Sequence, residues 1–318
     1  MNVAADVLKH LSLHESVCAI VVAYHPDQAF AHRLEAIRTQ VAQVVVVDNG
    51  SGGPEAPLGL AVVASQGFDV IKNQSNRGVG EALDQGLAWA IQRDHSFALT
   101  LDQDSRPAEG MVAALLEAYR SHPRKERLAI VAPQVVGDEV GVRARYLRRL
   151  APGLYRRTSC SGDVLDDVTS VITSGSLVNL AAYQVIGGFR EDFFIDYVDT
   201  EYCLRAQTHG YCIAVACKAV LHHRLGARLH TRLAGLDFYP TFHSPERWYY
   251  IARNRIPMIR MYAWRFPHWF TYEVIASVHG LLRMLLFEDR RREKLIAVMK
   301  GTIDGLLGRL GPGPLGAR

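Results

Sequence analysis

The 318-residue sequence has no Cys-x-x-Cys pair and no uninterrupted apolar run of the roughly 20 residues that span a bilayer. Neither a structural zinc site nor a transmembrane helix is therefore expected. Its five cysteines, Cys18, Cys160, Cys203, Cys212 and Cys217, are odd in number and scattered, and Cys18 and Cys203 fall in apolar patterns. Reduced, mostly buried thiols in a cytosolic protein are the expectation. Residues 1–15 are polar and mixed, so no secretory signal is expected at the start. With 49% hydrophobic and 21% charged residues, nothing suggests disorder outside the last few residues around Gly311-Pro312-Gly313-Pro314.

A large charge of one sign is also missing. The net charge is +4, but it is uneven: residues 241–318 hold 13 Lys+Arg against 6 Asp+Glu, and residues 1–240 hold 23 against 26. A neutral-to-acidic body with a basic tail predicts an anionic partner for the tail and no nucleic acid along the surface. The length suits one large α/β domain or a domain plus an extension.

Apolar patterning is plentiful. Residues 17–23 form a continuous apolar run, the mark of a strand buried on both faces. The spacing predicts a helix over 31–40, buried strands over 44–47 and 69–72, and a helix over 79–92. A strand over 97–101, a helix over 111–119 and a strand over 129–133 continue the alternation. This β-α-β order predicts an α/β fold, a parallel doubly wound sheet with its ligand at the carboxyl ends of the strands. Tyr24-His25, Asp48-Asn49 and Asp102 to Asp104 all fall on that edge. The second half is less regular. It reads as a strand over 171–178, a turn at Gly187-Gly188-Phe189, a helix over 198–208 closed by Gly210, and a strand over 212–219 before His222-His223. Beyond Ser244 the pattern is helical and basic.

The strongest chemical signal is Leu99-Thr100-Leu101-Asp102-Gln103-Asp104-Ser105. A strand that buries Leu99 and Leu101 and then exposes Asp102 and Asp104 can hold a divalent cation against a diphosphate. Solvated turn acids give the same pattern. Asp48 follows four valines, where a carboxylate can accept the imide N–H of uracil or thymine, or cap the next segment. Asn76-Arg77-Gly78-Val79-Gly80 opens a helix; its glycines allow close backbone approach, and the helix start and Arg77 favour phosphate. It lacks the Lys of a Walker loop and the spacing of a dinucleotide fingerprint. Asp196-Tyr197-Val198-Asp199-Thr200-Glu201 sets three acids at a helix start. The helix dipole favours acids there, and a fixed carboxylate also suits proton removal from an attacking sugar hydroxyl. Arg205 lies four residues after Glu201, so an ion pair is expected to occupy Glu201 and leave Asp199 freer. An imidazole from His222-His223 could complete a cation site beside Asp102 and Asp104.

Together these residues resemble the inverting glycosyltransferases of family 2, whose fold is called GT-A: a Rossmann-like, mostly parallel central sheet flanked by helices. The resemblance runs over about residues 17–254 and is to the rhamnosyltransferases of cell-surface polysaccharide synthesis. It is carried by the Val44 to Ser51 run, Asn76-Arg77-Gly78, Asp102-Gln103-Asp104-Ser105, the Gly187 to Arg205 run, His223-Arg224-Leu225-Gly226 and the His243 to Asn254 run. It implies a GT-A domain over 1–240 and a basic amphipathic helical extension over 241–318. It also implies that Tyr24 and Asp48 hold the nucleotide base, that Asp102 sits near the ribose, and that Asn76 and Arg77 help bind the donor. Asp104 would bind Mg²⁺ or Mn²⁺, with His223 as a further ligand, and Asp199 would be the base. The family often has Glu-Asp at that point; Val198 replaces the Glu, so the choice among Asp196, Asp199 and Glu201 stays open. Arg247, Arg253 and Asn254 reach the leaving diphosphate or pair with acids of the body, and Ser174 and Gly175 are candidates for the acceptor border.

The implied donor is dTDP-rhamnose, with a UDP-hexose or UDP-N-acetylhexosamine as the alternative, and the implied acceptor is a saccharide or a polyprenyl-linked saccharide. A nucleotidyltransferase and a non-catalytic sugar-nucleotide-binding protein are the other classes compatible with paired acids on an α/β sheet. In the tail, residues 269–287 are apolar but carry Glu273, His279 and Arg283, and Arg290-Arg291-Arg292 and Lys294 follow. This suits a helix lying on an anionic membrane surface or one packed on the body with a solvated basic face. The resemblance favours a cytoplasmic enzyme, peripheral on the inner face of the cell membrane.

Overall fold

Runs such as 17–23 and 44–47 offer no polar side to solvent, so they are stable only in the middle of a sheet covered on both faces. The computed structural model, which describes residues 17–52, 60, 63–137, 142–223, 231–233, 236–238 and 243–313, places them there. The order is β1 (Val17–Ala23), α1 (Phe30–Arg38), β2 (Gln43–Asp48), β3 (Asp69–Lys72), α2 (Val79–Ile91), β4 (Phe97–Asp102), β5 (Arg106–Pro107) and α3 (Met111–Ser121). Then come β6 (Leu128–Val136), β7 (Arg145–Ala151), β8 (Leu154–Ser159), β9 (Val164–Leu165), β10 (Ser176–Asn179), α4 (Leu180–Ile186), α5 (Val198–Thr208) and β11 (Cys212–His222). The short strands Thr231–Leu233 and Leu236–Phe238 pair with each other, and α6 (Pro245–Tyr262), α7 (Pro267–Phe287) and α8 (Arg291–Leu306) follow.

The large sheet runs β3-β2-β1-β4-β10-β6-β11-β5, with β9 added on β11. The block from β3 to β4 is parallel, as is the β6–β11 pair, whereas β10 is antiparallel to both of its neighbours. Period-two alternation sorts β1 between two cores. Cys18 and Ile20 join Leu83, Leu87, Phe193 and Tyr202 on one face, while Val17, Ala19 and Val21 join Phe30, Leu34, Leu99 and Leu115 on the other.

Three expectations are corrected. The strand expected over 171–178 starts only at Ser176, because Gly175 has a φ of 80° and the Thr100 hydroxyl donates to the Thr173 carbonyl at 2.6 Å, turning the chain away from the sheet. Cys160 and Cys217, expected as thiols, form a disulfide, since the chain after β8 returns to β11 with the two Cα atoms 5.4 Å apart. Cys18, Cys203 and Cys212 are free and buried, as expected. The β7–β8 hairpin lies in an Arg-rich stretch where sequence reading placed no strand.

The last three helices are tied to the body. Met258, Tyr262 and Trp269 are part of the core that holds Ile20 and Phe193. Tyr272 of α7 meets Tyr155 of β8 edge-on, with ring centroids 5.3 Å apart. α8 lies against α6 along a strip of small residues: a Cβ at Gly301 would collide with the Tyr249 carbonyl and one at Gly305 with the Arg253 carbonyl. Gly301→Ala is expected to push α6 and α8 apart and cost about 1–3 kcal/mol, read as a lower denaturation midpoint. An unchanged midpoint would mean that the two backbones do not approach this closely.

Candidate active site

The carboxyl edge is level because the register makes it so. Ala23 pairs with Asp48 and Val22 with Asp102, so the ends of β2 and β4 flank the end of β1. Gln103, between the two acids of the Asp-Gln-Asp run, straps this edge. It accepts the Tyr24 N–H at 2.7 Å and donates back to the Tyr24 carbonyl at 3.1 Å, while Arg33 donates to its own carbonyl at 2.7 Å. Tyr24 is left with its ring largely exposed, and the buried Asp48 accepts the Ser51 N–H at 2.9 Å.

Asp102, Asp104 and His223 converge, each offering one ligand atom within 4.8 Å of the others. His223 comes from beyond the end of β11, where its N–H donates to the Val136 carbonyl. Its Nε2 is 3.8 Å from Asp102 Oδ2, and its Nδ1 is 3.7 Å from Asp104 Oδ1. Two buried hydroxyls lie behind them. Ser105 Oγ is 3.1 Å from His223 Nδ1 and 2.5 Å from Ser174 Oγ, which accepts the Asp102 N–H at 3.2 Å. Burial pushes the Asp102 carboxyl above its ordinary range; Asp104 adds to this, and His223 and the Ser174 hydrogen bond oppose it. Two carboxylates and an imidazole are a suitable donor set for Mg²⁺ or Mn²⁺.

Asp199 enters from the first turn of α5. The loop before it holds three non-glycine residues at positive φ, Phe194 at 64°, Asp196 at 61° and Tyr197 at 65°. Such residues persist only where the surroundings hold them. The Asn254 amide donates to the carbonyls of Phe193, Ile195 and Asp196 at 2.9, 2.8 and 3.0 Å. Tyr197 OH donates to Glu273, which also pairs with Arg255 at 2.9 Å. Burial, reinforced by the charges of Asp196 and Asp102, pushes Asp199 up to about 6. Asp196 pairs with Arg247 at 3.2 Å, and its Oδ2 is buried with no hydrogen-bond partner among the described residues. Glu201 is committed, as its spacing predicts, to Arg205 at 3.0 Å, and also accepts from Tyr262 OH at 2.8 Å.

Two expected donor-site features have partners within the chain. Arg253, only 1% exposed, donates to Asn254 Oδ1 and to the carbonyls of Asp192, Phe193 and Gly311, so its guanidinium braces the loop instead of reaching a diphosphate. The start of α2 is filled by the chain itself. Val79 N–H donates to the Phe194 carbonyl at 2.8 Å, and Gly78, at a φ of 87°, lies where a Cβ would stand 2.6 Å from that oxygen. Asn76 Oδ1 accepts from Asn49 and from the Gly78 N–H, and Arg77 pairs with Glu81. The close approach promised by these glycines is thus made by the loop that carries Asp199. What sequence reading missed is the part played by Gln103 as a strap, by Ser105 as a buried hydroxyl beside His223 and by Asn254 as a clamp on loop carbonyls; Ser174 lies behind the acids.

The family model described as Glycosyl transferase family 2 matches residues 18–177, half of the chain. The chain belongs to glycosyltransferase family 2. It is 24% identical over 304 residues to the dTDP-rhamnosyl transferase RfbF of Shigella flexneri, covering 95% of this chain and 99% of that one. Among solved structures, TarS 1-349 of S. aureus in complex with UDP-GlcNAc superposes with a TM-score of 0.51 at 15% identity, over 91% of this chain and 81% of that one. The mannosyltransferase PcManGT of Pyrobaculum calidifontis, in complex with GDP-Man and Mn²⁺, superposes with a TM-score of 0.52 at 12% identity, over 96% of each chain. The fold is GT-A, with C-terminal helices added.

Asp199 makes a prediction that needs no substrate. Its carboxyl titrates near 6 in the fold against 3.8 ordinarily, so the folded chain binds this proton more tightly than the unfolded chain does. The stability it contributes is full below about pH 4 and is lost as pH rises through about 6. Asp199→Asn, which cannot ionise, is therefore expected to be more stable than the parent at pH 8, by on the order of 2 kcal/mol, with the gain fading near pH 4. Denaturant titrations at the two pH values check this; equal stability at pH 8 would contradict the burial of the charge.

Proposed function

We propose that this family 2 chain is an inverting, divalent-cation-dependent glycosyltransferase that moves rhamnose from dTDP-rhamnose to a saccharide or polyprenyl-linked acceptor in cell-surface polysaccharide synthesis. The observation that carries the reading is the Asp102–Asp104–His223 cluster with Asp199 close enough for its proton affinity to feel the Asp102 charge. Similarity to a protein named as a dTDP-rhamnosyl transferase, along nearly the full length of both chains, supports the donor. The structure of TarS with UDP-GlcNAc favours a UDP-sugar as the second reading.

In this reading Asp104 and His223 would hold Mg²⁺ or Mn²⁺, and Asp102 would sit near the ribose. When bound, the ion neutralises negative charge on the departing nucleoside diphosphate. Tyr24 offers a ring face to the nucleotide base, and Asp48 an acceptor for its imide N–H. Asp199 takes the proton of the acceptor hydroxyl, which attacks the anomeric carbon from the face opposite the leaving group and inverts it. The unpartnered Oδ2 of Asp196 is a place for a sugar hydroxyl to donate. Residues 1–240 form the catalytic domain in this reading, and the extension over 241–318 completes it by holding the Asp199 loop. The enzyme works in the cytoplasm, peripheral on the inner face of the membrane.

Release of nucleoside diphosphate from dTDP- and UDP-sugars, with Mn²⁺ or EDTA, tests this. Cation-dependent release from dTDP-rhamnose that is lost in Asp104→Ala is expected; full activity of that variant would remove the cation assignment. Release from a UDP-sugar alone would keep the mechanism and change the donor. Asp199→Asn is expected to keep donor binding and lose transfer by about 10²–10⁴-fold. Because the base must be ionised, the parent's transfer rate is expected to fall about tenfold per pH unit below the working pKa of Asp199, which a bound cation brings below the value of about 6 that the cation-free site gives it. An acid limb that is unchanged in the residual activity of Asp199→Asn would place the base elsewhere.

A further inference from the structure

We propose that the outward faces of α7 and α8 together form a docking surface for an anionic lipid bilayer. This deepens the proposed function by saying where its acceptor is met, and rests on that reading only for its purpose. On α7, Val274, Ile275, Val278, Leu282, Leu285 and Leu286 are exposed; on α8, Leu295, Ile296, Met299, Ile303, Leu306 and Leu307 are exposed. The two sets repeat the same spacing, one helical stripe on each of two consecutive helices. Single exposed leucines are ordinary, but two continuous stripes are not.

Trp269 is 2% exposed and belongs to the core, whereas Trp264, just before α7, is 97% exposed. α7 is long and apolar enough to cross a membrane by length and composition, yet little of it is buried. It is held to the body at both ends. His268 Nε2 lies 3.0 Å from the Thr169 hydroxyl near its start, Glu273 pairs with Arg255, and Met284 is buried near its end. A helix fixed along one face lies flat, which gives an interfacial helix and not a spanning one. α8 is fixed in the same way, with Ala297, Gly301 and Gly305 turned inward.

Charge decides the occupant. Arg290, Arg291 and Arg292 stand exposed at the corner between the stripes, and Lys300 and Arg309 are exposed along α8. Arg290 pairs with Glu293, Arg309 with Asp304 and the buried Lys294 with Glu288 and Asp289, which leaves Arg291, Arg292 and Lys300 as the surplus positive charge of the rim among the described residues. A two-fold pair of copies would bring this basic rim to both sides of one interface, whereas anionic headgroups complement it.

Sedimentation of the full chain with phosphatidylcholine vesicles, with or without phosphatidylglycerol, tests the proposal. We expect binding to the anionic vesicles, weakened by high salt, and a blue shift of tryptophan emission that is lost in Trp264→Phe. Leu286→Glu on α7 and Met299→Glu on α8 are each expected to weaken binding about tenfold or more, with unaltered melting and unaltered nucleoside diphosphate release from a soluble donor. Either variant binding like the parent would overturn the two-helix surface. So would a parent that ignores anionic vesicles, or one that is a dimer which Met299→Glu dissociates. Loss of vesicle binding with catalysis intact separates this surface from the active site, and absence of catalysis in a parent that binds vesicles would fault the reaction and leave the surface standing.

Discussion

One side-chain amide holds the loop on which the site depends. Asn254 donates to three carbonyls, of Phe193, Ile195 and Asp196, within a stretch where three non-glycine residues sit at positive φ. Each such residue costs on the order of 1 kcal/mol or more, so the stretch would relax without its partners. That backbone places the first turn of α5, and with it Asp199, near the edge that carries Asp102. It also receives the start of α2, whose Gly78 has no room for a side chain beside Phe194. Arg253 braces the same loop from the next position on α6, so one helical turn of the C-terminal segment fixes the conformation of a loop that precedes it by about sixty residues.

The site is also an electrostatic problem that the fold leaves partly open. Asp102, Asp104, Asp196 and Asp199 lie close together, and Arg247 is bound to only one of them. Burial raises the proton affinity of Asp102, Asp196 and Asp199, outweighing the opposing charges of His223 at Asp102 and Arg247 at Asp196. A divalent cation on Asp102 and Asp104 would relieve that repulsion and lower the proton affinity of Asp199 with it. In the proposed reaction, cation binding and the proton affinity of Asp199 would thus be coupled through charge. The hydroxyls of Ser105 and Ser174 fit this picture, since they orient His223 and Asp102 while adding no charge.

Much of this was legible in the sequence because it follows from local rules. Runs with no polar face had to be central strands, and polar residues ending three of them had to share an edge, so the juxtaposition of Tyr24, Asp48 and Asp102 was legible without a structure, and His223 beside Asp102 and Asp104 was a stated option. The Glu201–Arg205 pair follows from helical spacing alone. What escaped is what depends on contacts distant in sequence. Gly78 and Gly80 read as a phosphate loop because close approach to a ligand and close approach to one's own backbone demand the same residue. Arg253 read as a ligand of the diphosphate or a partner of the body's acids because an arginine in a polar run carries no mark of burial; most of its partners are carbonyls, which every residue has. The Cys160–Cys217 bridge needed the return of the chain from β8 to β11 to become visible.

The same reasoning changes how the C-terminal helices are understood. A composition shift near residue 240 suggests an appendage, yet Arg247, Asn254, Arg255 and Tyr262 all act on residues between 193 and 201. α6 is therefore a working part of the catalytic unit, and α8 is held to α6 by backbone contact along Gly301 and Gly305. The outward stripes of α7 and α8 are rigidly continuous with the element that fixes Asp199, through packed helices and ion pairs and not through a linker. A surface that met the bilayer there would set the orientation of the cleft relative to it, so that a lipid-linked acceptor would arrive at a base already in place.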